Sequence, residues 1–303
     1  MSRSFAHFLM LIAAFIWGTT FVAQSSGMET IGPLGFTAAR YLVGALVILP
    51  FIIWEIRQGR HLLNAMRKDK ILARDALLLG VMMFGGIALQ QTALLYTKVA
   101  NAAFLTVLYV PFVPILSWLL FRQIIKGKIW VALGLSVLGS YFLAGTSNLL
   151  GQWGDFLVIL GAFFWAGHII IISLVTRKIE APFQLAGLQS IICAVLAAGP
   201  MMLFEAPMLA DFTPMMPQIL YAGVLSVGAA YTIQLVAQRY SDATTAAFIL
   251  SLEGVFAAWA GWQFLNESLP FIAIFGCMLI FLAVSLADVV PEGWLKGFLW
   301  HRK

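Results

Sequence analysis

Apolar segments of about twenty residues recur along the chain from Phe8 to Ala287, with short polar connections between them. At a rise of about 1.5 Å per residue, each forms a helix that spans the roughly 30 Å hydrocarbon core of a bilayer. The segments lie at about 6–24, 33–56, 75–97, 101–122, 129–147, 154–176, 182–204, 216–238, 243–265 and 270–288. The sequence therefore predicts an all-α integral membrane protein with ten transmembrane helices.

Basic residues are distributed unevenly between the two sides of this zigzag. Sixteen of the 18 Lys and Arg residues lie at the termini or in the even-numbered connections; Lys98 lies in an odd-numbered one and Arg40 inside a segment. Positive charge is retained on the cytoplasmic side of a membrane, so both termini are predicted to be cytoplasmic. The same pattern accounts for the net charge of +5, which therefore does not indicate a nucleic-acid partner.

Composition excludes a soluble globule, because 62% of the residues are hydrophobic and only 10% are charged. No connection is long enough to form a soluble domain. Cys193 and Cys277 both lie within apolar segments, where we expect small packing residues rather than a disulfide. The first 24 residues imitate a signal peptide, but the apolar run is long and its pattern recurs later in the chain. We expect it to be kept as the first helix.

The two halves of the chain repeat each other. At an offset near 148, AFIW at 14–17 recurs as AFFW at 162–165, Pro33 as Pro182 and Pro50 as Pro200. At an offset near 144, AAF at 102–104 recurs at 246–248. We therefore divide the chain into residues 1–150 and 151–303, with five segments in each. An odd number of crossings inverts the second half in the membrane, an arrangement that transporters use for alternating access around a midplane site.

Two stretches carry a family resemblance. The first is FIWGTTF at 15–21, and the second is SLEGVFAA at 251–258, followed by LNESL at 265–269. With them the chain resembles the EamA repeats of the drug/metabolite transporter superfamily over essentially its whole length, and within it the YddG-type amino-acid exporters. The resemblance implies two inverted five-helix repeats around a central cavity lined by helices 1, 3, 4, 6, 8 and 9. It also implies export from a cell, with the bacterial inner membrane as the expected location.

Two tryptophans lie near the middle of the membrane at equivalent positions of the repeats. Trp17 is about 16 Å along the first helix, and Trp165 reaches a similar depth from the other face. They either line a cavity for apolar or aromatic groups or only pack helices together. Thr20 and His168 follow three residues later, on the same helix faces. His168 is either a substrate contact or a neutral histidine bonded across helices.

Glu253 and Arg40 are the charged residues placed deepest in the membrane. Glu253 lies about 15 Å into helix 9, where it either relays a proton, attracts a substrate ammonium group or fixes helix packing as a neutral or ion-paired carboxyl. Arg40, about 10 Å from the outer face, either pairs with Glu253, extends outwards to water or meets a substrate carboxylate. Gln189 is its approximate repeat mate, so the positive charge is not duplicated.

Sparse hydrogen-bonding groups complete the candidate substrate site. They are Gln91, Tyr109, Gln234 and Ser251, with Gln90 beside the first. A mostly apolar chamber of this kind suits a small amphiphilic solute better than a sugar or a polyphosphate. No Cys, His or carboxylate has metal-ligand spacing to His168, so we expect no metal and no cofactor.

The sequence favours an inner-membrane exporter of neutral or aromatic amino acids, with a small-molecule substrate and membrane lipid as its partners. The alternative is a multidrug exporter of lipophilic cations. A membrane enzyme is the remote alternative, since the chain has no HExxH or GxGD motif. Substrate identity, energy coupling and the choice between monomer and homodimer stay open at this stage.

Overall fold

The computed structural model describes residues 1–97, 99–122, 125, 127–144, 153–265, 268 and 270–288. Ten apolar helices lie within them. They are α1 (Arg3–Ser26), α2 (Gly32–Arg57), α3 (Lys70–Ala93), α4 (Asn101–Phe121), α5 (Gly127–Ala144), α6 (Trp153–Lys178), α7 (Pro182–Glu205), α8 (Met216–Gln238), α9 (Ala243–Phe264) and α10 (Phe271–Asp288). Eight of the described helices are long and apolar enough to cross a bilayer, while α5 and α10 are shorter. The predicted all-α membrane fold is confirmed.

Short elements connect some of these helices. A helix at Leu62–Lys68 joins α2 to α3, and a 3₁₀ turn at Leu209–Phe212 lies between α7 and α8. The predicted boundary between the repeats, at residues 150 and 151, falls between α5 and α6 and lies outside the described residues.

Helices of the first half pack against helices of the second. Helix α3 lies along α6, and α1 lies along α8 and α9. Helix α2 packs against α7, and α5 against α10, so each of these two pairs joins a helix to its equivalent in the other half. The pseudo-two-fold axis that relates the repeats therefore passes between the members of both pairs, as inverted repeats require.

Polarity is inverted relative to a soluble protein. Large apolar side chains such as Leu46 and Leu203 face outwards, with 59% and 79% of their surfaces exposed. The largest fully buried side chain is that of Arg40, and Gln91 and His168 are also buried. An apolar exterior matches lipid tails, whereas the polar groups inside must find partners in the protein or in a water-filled cavity.

Two helices are interrupted at equivalent points near mid-membrane. Helix α4 is interrupted between Thr106 and Tyr109, and α9 is interrupted between Leu250 and Glu253. The break residues Leu108 and Leu252 have almost the same backbone angles, φ −60° and ψ −12° against φ −62° and ψ −13°. The two repeats therefore share the interruption as well as the helix order.

The breaks have different local causes. Pro111 has no N–H to donate to the Val107 carbonyl, which instead accepts from Val110 N–H at 2.9 Å. In α9, Gly254 N–H donates to the Ser251 carbonyl in the same three-residue pattern at 3.1 Å, although no proline follows. The Ser251 hydroxyl donates to the Phe248 carbonyl at 2.7 Å and competes there with regular helical bonding. One backbone shape thus arises from two different sequences.

Candidate functional site

A narrow cavity lies at the centre of the bundle, beside the two helix breaks. Side chains from α1, α2, α3, α4, α6, α8 and α9 line it, so α2 joins the six helices that the family resemblance implied. Its lining residues are Trp17, Phe21, Gln24, Arg40, Ile87, Gln90, Thr106, Tyr109, Trp165, His168, Ile169, Ser226, Tyr231, Gln234, Leu250 and Glu253. The volume of the cavity is ≈ 40 Å³, which is enough for about three water molecules. The described conformation is therefore too tight for a metabolite.

Most of the lining comes in pairs related by the pseudo-two-fold axis. The offset of 148 pairs Trp17 with Trp165 and Phe21 with Ile169, all of which line the cavity. The offset of 144 adds four more lining pairs: Ile87 with Tyr231, Gln90 with Gln234, Thr106 with Leu250, and Tyr109 with Glu253. The axis therefore runs through the cavity. Several of these pairs differ in polarity, so the site is symmetric in shape but not in chemistry.

Tyr231 is the centre of an aromatic cluster. Its ring lies 4.7 Å from the Trp17 ring and stacks on Trp165 at 6.2 Å, with an interplanar angle of 15°. The ring of His168 meets it edge-on at 6.0 Å, and that of Tyr41 lies 6.3 Å away. Aromatic contacts at these separations hold the rings in fixed orientations. They form a rigid apolar wall to which both repeats contribute.

Arg40 brings a buried positive charge to the cavity. One guanidinium nitrogen, Nη2, donates to Gln24 Oε1 at 3.3 Å and to Gln91 Oε1 at 3.4 Å. The guanidinium lies 5.2 Å from the Phe36 ring and 5.4 Å from the Tyr41 ring, distances at which aromatic faces attract a cation. Among the described residues, no carboxylate pairs with Arg40 and Nε has no acceptor. Pairing with Glu253, one of the three alternatives for Arg40, is therefore absent from this conformation.

Glu253 lines another part of the same cavity, at the first residue after the break in α9. Tyr109 also lines the cavity, and no acceptor among the described residues lies within hydrogen-bonding distance of its hydroxyl. Both side chains stand at equivalent positions after the breaks in their helices. The interruption of α4 and α9 thus places one phenol and one carboxyl against the cavity.

Hydrogen bonds between polar side chains hold the cavity-lining residues in their orientations. The Trp165 indole Nε1 donates to Gln90 Oε1 at 3.0 Å, and His168 Nε2 hydrogen-bonds Gln189 Oε1 at 3.0 Å. Gln234 Nε2 donates to Gln238 Oε1 at 3.1 Å. This leaves the Gln234 Oε1 atom without a donor among the described residues. Trp17 Nε1 is likewise buried there without an acceptor.

Unpartnered atoms at the cavity include both donors and acceptors. Trp17 Nε1 and Arg40 Nε are donors that lack an acceptor, Gln234 Oε1 is an acceptor that lacks a donor, and the Tyr109 hydroxyl, which can donate or accept, also has no partner among the described residues. Buried polar groups almost always have partners, so such atoms around a cavity indicate the place of water or ligand. A ligand that satisfies all of them carries both acceptors and donors.

Seven of the predicted site residues line the cavity, and three do not. The seven are Trp17, Arg40, Tyr109, Trp165, His168, Gln234 and Glu253. Thr20 is fully buried, and its hydroxyl donates to the Ile16 carbonyl of its own helix at 2.6 Å. Gln91 stands behind Arg40, where its Nε2 donates to the Gln24 carbonyl at 2.9 Å. Ser251 is turned to its own backbone. We therefore assign these three to positioning the helices and Arg40 rather than to contact with a ligand.

Sequence reasoning missed several lining residues. They include Phe21, Gln24, Thr106, Ser226 and Tyr231, while Gln90 was noted only as a neighbouring polar group. The 144 offset, applied to Gln234 and Glu253, identifies Gln90 and Tyr109 as their partners across the axis. Tyr231 has Ile87 as its equivalent, so no repeated residue type marked it. As to metals, the structure places no three His, Cys, Asp or Glu side chains close enough to share an ion in the part of the chain it describes.

Comparison with known proteins agrees with this architecture. A model of the EamA-like transporter family matches residues 4–145 and 152–287. An uncharacterized transporter of Archaeoglobus fulgidus is 30% identical over 290 residues, which cover 95% of this chain and 87% of that protein. YedA of Escherichia coli K12, an uncharacterized inner membrane transporter, is 24% identical over 215 residues, or 70% of this chain and 65% of its own.

A solved structure shares the fold. A protein titled only as a crystal structure superposes with a TM-score of 0.76 at 18% identity, covering 95% of this chain and 98% of its own. The relatives are named as transporters, and none of the chemistry at the cavity indicates an enzyme. Two successive matches to one family model and a relative aligned over nearly the whole chain establish that this protein is a membrane transporter of the EamA-like family, in the drug/metabolite transporter superfamily.

Proposed function

We propose that the protein exports neutral or aromatic amino acids across the bacterial inner membrane, by alternating access around the central cavity. The helices of the two repeats, residues 1–150 and 151–303, rearrange about the site so that it opens to one side of the membrane at a time. The substrate is held among Trp17, Trp165 and Tyr231, with its charged groups between Arg40 and Glu253. Export direction and membrane are taken from the family's exporters and from the inner-membrane relative YedA.

The observation that carries this proposal is the separation of charge in one cavity. Arg40 and Glu253 both line it but are not paired with each other. The donors of Trp17 and Arg40 suit a carboxylate, while Gln234 Oε1 and Glu253 suit an ammonium group. An α-amino acid carries these two groups on one carbon. Tyr231 lines the same cavity as Arg40 and Glu253.

The aromatic wall supports a preference among amino acids. Trp17, Trp165 and Tyr231 offer ring faces to an apolar or aromatic side chain, and Ile87, Ile169 and Leu250 add aliphatic surface. Lining of this kind leaves no described group to neutralise a second charge on the substrate side chain. Neutral and aromatic amino acids therefore fit better than acidic or basic ones.

The broken helices support alternating access. Interrupted helices near mid-membrane leave backbone groups free to face a substrate, and transporters with inverted repeats commonly place their sites there. The described cavity holds about three waters, so a substrate enters only after one side opens. We take this conformation as the closed state of the cycle.

Export of lipophilic cations is the second candidate. An aromatic wall with one carboxyl, here Glu253, is a suitable receptor for an organic cation. The buried guanidinium of Arg40 in the same cavity opposes it, because two like charges in a low-dielectric site repel each other strongly. Substitution of Arg40 therefore distinguishes amino-acid export from the export of lipophilic cations.

Counterflow in liposomes tests the proposal. Purified protein in vesicles preloaded with unlabelled phenylalanine is expected to accumulate labelled phenylalanine above protein-free vesicles, and Trp165→Ala is expected to abolish this uptake. Phenethylamine lacks the carboxylate and 3-phenylpropionate lacks the ammonium group. Each is expected to compete at least about thirtyfold more weakly than phenylalanine, since each leaves one buried charge unpaired.

The same assay distinguishes the second candidate. If phenethylamine competes as well as phenylalanine, and Arg40→Gln improves transport of a lipophilic cation, the protein is a cation exporter. If folded protein exchanges no amino acid in vesicles preloaded with a mixture of them, the amino-acid proposal fails.

A further inference from the structure

Two glutamates, Glu55 and Glu205, occupy equivalent positions at opposite ends of the α2–α7 pair. Each follows a proline of its own helix by five residues, after Pro50 in α2 and Pro200 in α7. The two prolines are equivalent in the repeats at an offset of 150, and so are the two glutamates. The binding site described above uses neither of them.

Glu205 caps the N-terminus of α2. Its Oε1 accepts the N–H of Leu34 at 2.8 Å, and its Oε2 accepts that of Gly35 at 2.7 Å. The residue that precedes α2, Ile31, provides no side-chain cap of its own. Free N–H groups at a helix start require a partner, and the positive end of the helix favours a carboxylate. A glutamate from the second repeat therefore completes a helix of the first.

Glu55 does the reverse on the other side of the membrane. Its Oε2 accepts the backbone N–H of Gln184 at 2.9 Å and the side-chain Nε2–H of the same residue at 3.2 Å. Helix α7 also lacks a cap from its own preceding residue, Ala181. Gln184 is equivalent to Gly35 at the offset of 149, so the two caps match in position. Glu55 is fully buried, and Glu205 is half-buried.

The local backbone at the Glu205 cap is shaped to receive the carboxylate. Gly32 has φ +71°, and a Cβ atom there would lie 2.5 Å from the Glu205 carboxyl carbon. Any other residue would therefore be strained and would also displace the carboxylate. The close approach of the two repeats at this point depends on a glycine.

We propose that Glu55 and Glu205 are paired positioning residues that keep α2 and α7 together as one unit throughout the transport cycle. Inverted repeats change state when each repeat adopts the conformation that the other had. The α2–α7 interface lies on the pseudo-two-fold axis that relates the repeats. The exchange of conformations therefore leaves the contacts of this interface unchanged. The described conformation and its repeat-exchanged counterpart thus both contain both caps. Arg40 on α2 is carried by this unit, and opening takes place between the unit and the other helices.

Another contact between the repeats lacks this symmetry. The hydroxyls of Thr19 on α1 and Tyr221 on α8 are hydrogen-bonded at 2.7 Å. Their equivalents are Gly167 and Leu77, which have no polar side chain. This contact therefore exists on one side of the membrane only. A contact that breaks when the cavity opens to one side must be one-sided in the same way. It provides the matched control for the caps.

Cross-linking tests the proposal in a Cys193→Ala, Cys277→Ala background. Gly35→Cys with Met201→Cys joins the Glu205 end, since a Cβ at position 35 would lie 3.7 Å from Met201 Sδ. Ile52→Cys with Gly187→Cys joins the two helices towards the other end, where Gly187 packs against Ile52. A bis-methanethiosulfonate reagent forms links that a reductant removes. Each link is expected to leave phenylalanine counterflow within about twofold of the unlinked protein.

The control pair is Thr19→Cys with Tyr221→Cys, treated with the same reagent. Its link is expected to lower counterflow at least about tenfold, with recovery on reduction. If linking α2 to α7 stops counterflow in protein that elutes as a folded peak, the caps are gates that must open and the proposal is wrong. If the Thr19–Tyr221 link has no effect, opening between the unit and the other helices is refuted as well.

Rescue separates positioning from folding. Glu205→Ala is expected to lower the counterflow rate per folded molecule at least about tenfold, since it removes both charge-assisted bonds to the N–H groups of Leu34 and Gly35. Glu205→Gln is expected to lower it less, since its amide oxygen still accepts one N–H. Linking Gly35→Cys to Met201→Cys in Glu205→Ala should restore the rate. A wild-type rate in unlinked Glu205→Ala, or no rescue by the link, contradicts the proposal.

These flux measurements rest on the proposed amino-acid exchange, and wild-type protein in the same vesicles checks that function separately. If wild-type protein exchanges no amino acid, hydrogen–deuterium exchange in nanodiscs reads the caps directly. Slow exchange at both 34–35 and 183–184, lost only at 34–35 in Glu205→Ala, supports a permanent unit. Fast exchange at either end of wild-type protein refutes it.

Discussion

Gly86→Ala tests whether the Trp165 indole is the wall on which a substrate rests. A Cβ atom at position 86 would lie 2.8 Å from two ring carbons of Trp165 and 3.2 Å from Nε1. Carbon atoms in contact prefer about 3.5 Å or more, so the indole must shift by about 0.7 Å. Its hydrogen bond to Gln90 Oε1, now 3.0 Å, would lengthen to about 3.7 Å and be lost.

Gly86→Ala is expected to change both the thermal stability of the protein and its affinity for substrate. Overpacking costs about 1–3 kcal/mol and the lost hydrogen bond about 1 kcal/mol, so the apparent melting temperature in detergent should fall by about 4–10 °C. The shifted indole of Trp165 also enters a cavity of only ≈ 40 Å³. Displacement of a binding group by nearly 1 Å should raise the half-saturating phenylalanine concentration in counterflow by about tenfold or more.

Gly85→Ala is the matched control. Its Cβ would meet the ring of Phe164, which does not line the cavity, at 2.7 Å from Cε1. This variant should lose a comparable amount of thermal stability and keep the wild-type half-saturating concentration. If both variants lose stability equally and neither changes substrate affinity, Trp165 is a packing residue and the assignment of the wall is wrong.

Three further changes address other parts of the structure. Glu253→Gln should weaken phenylalanine counterflow about tenfold, because an amide does not attract an ammonium group as a carboxylate does; unchanged flux would exclude the carboxyl from the site. Gly32→Ala should lower the melting temperature more than Gly59→Ala, since both residues have positive φ but only a Cβ at 32 meets another side chain; equal losses would contradict the tight approach. Asp69 caps α3, and the N–H of Leu72 holds the pKa of its carboxyl below the ordinary value. Asp69→Ala should therefore destabilise the protein at pH 7, and the difference in melting temperature should shrink as the pH falls below about 4, where the wild-type carboxyl also loses its charge.

The fold was predictable from sequence because lipid leaves few alternatives. Segments of the observed length and apolarity must be helical in a bilayer, and their spacing set the helix ends within a few residues. The break in α4 also had a visible cause in Pro111. The break in α9 has no proline to mark it, because Gly254 and Val255 stand in the region where repeat one has prolines. The Ser251 hydroxyl that bonds the Phe248 carbonyl there is a weak signal in a sequence, since most such residues lie in unbroken helices.

The site was only partly predictable, for a reason specific to membranes. In water, an apolar stripe marks the buried face of a helix, but in lipid both faces are apolar and the stripe disappears. Polar residues such as Gln234 and Glu253 therefore revealed the cavity, whereas Tyr231, at its centre, did not. Thr20 and Ser251, which were predicted in the site, do not line the cavity for a related reason. A hydroxyl in a membrane helix can satisfy itself on its own backbone, so its presence does not mark a polar cavity.

The contrast between shape and chemistry in the two repeats follows from what such a site must do. Exchange of conformations between the repeats requires similar backbones, and the breaks at Leu108 and Leu252 meet that requirement closely. Binding the proposed zwitterionic substrate requires one cation and one carboxyl. If Arg40 and Glu253 were both repeated, two of each would face one cavity, where opposite charges attract each other strongly. Gln189 and Tyr109 stand at the equivalent positions instead, so the charges stay available to a ligand that lies in one orientation across the axis.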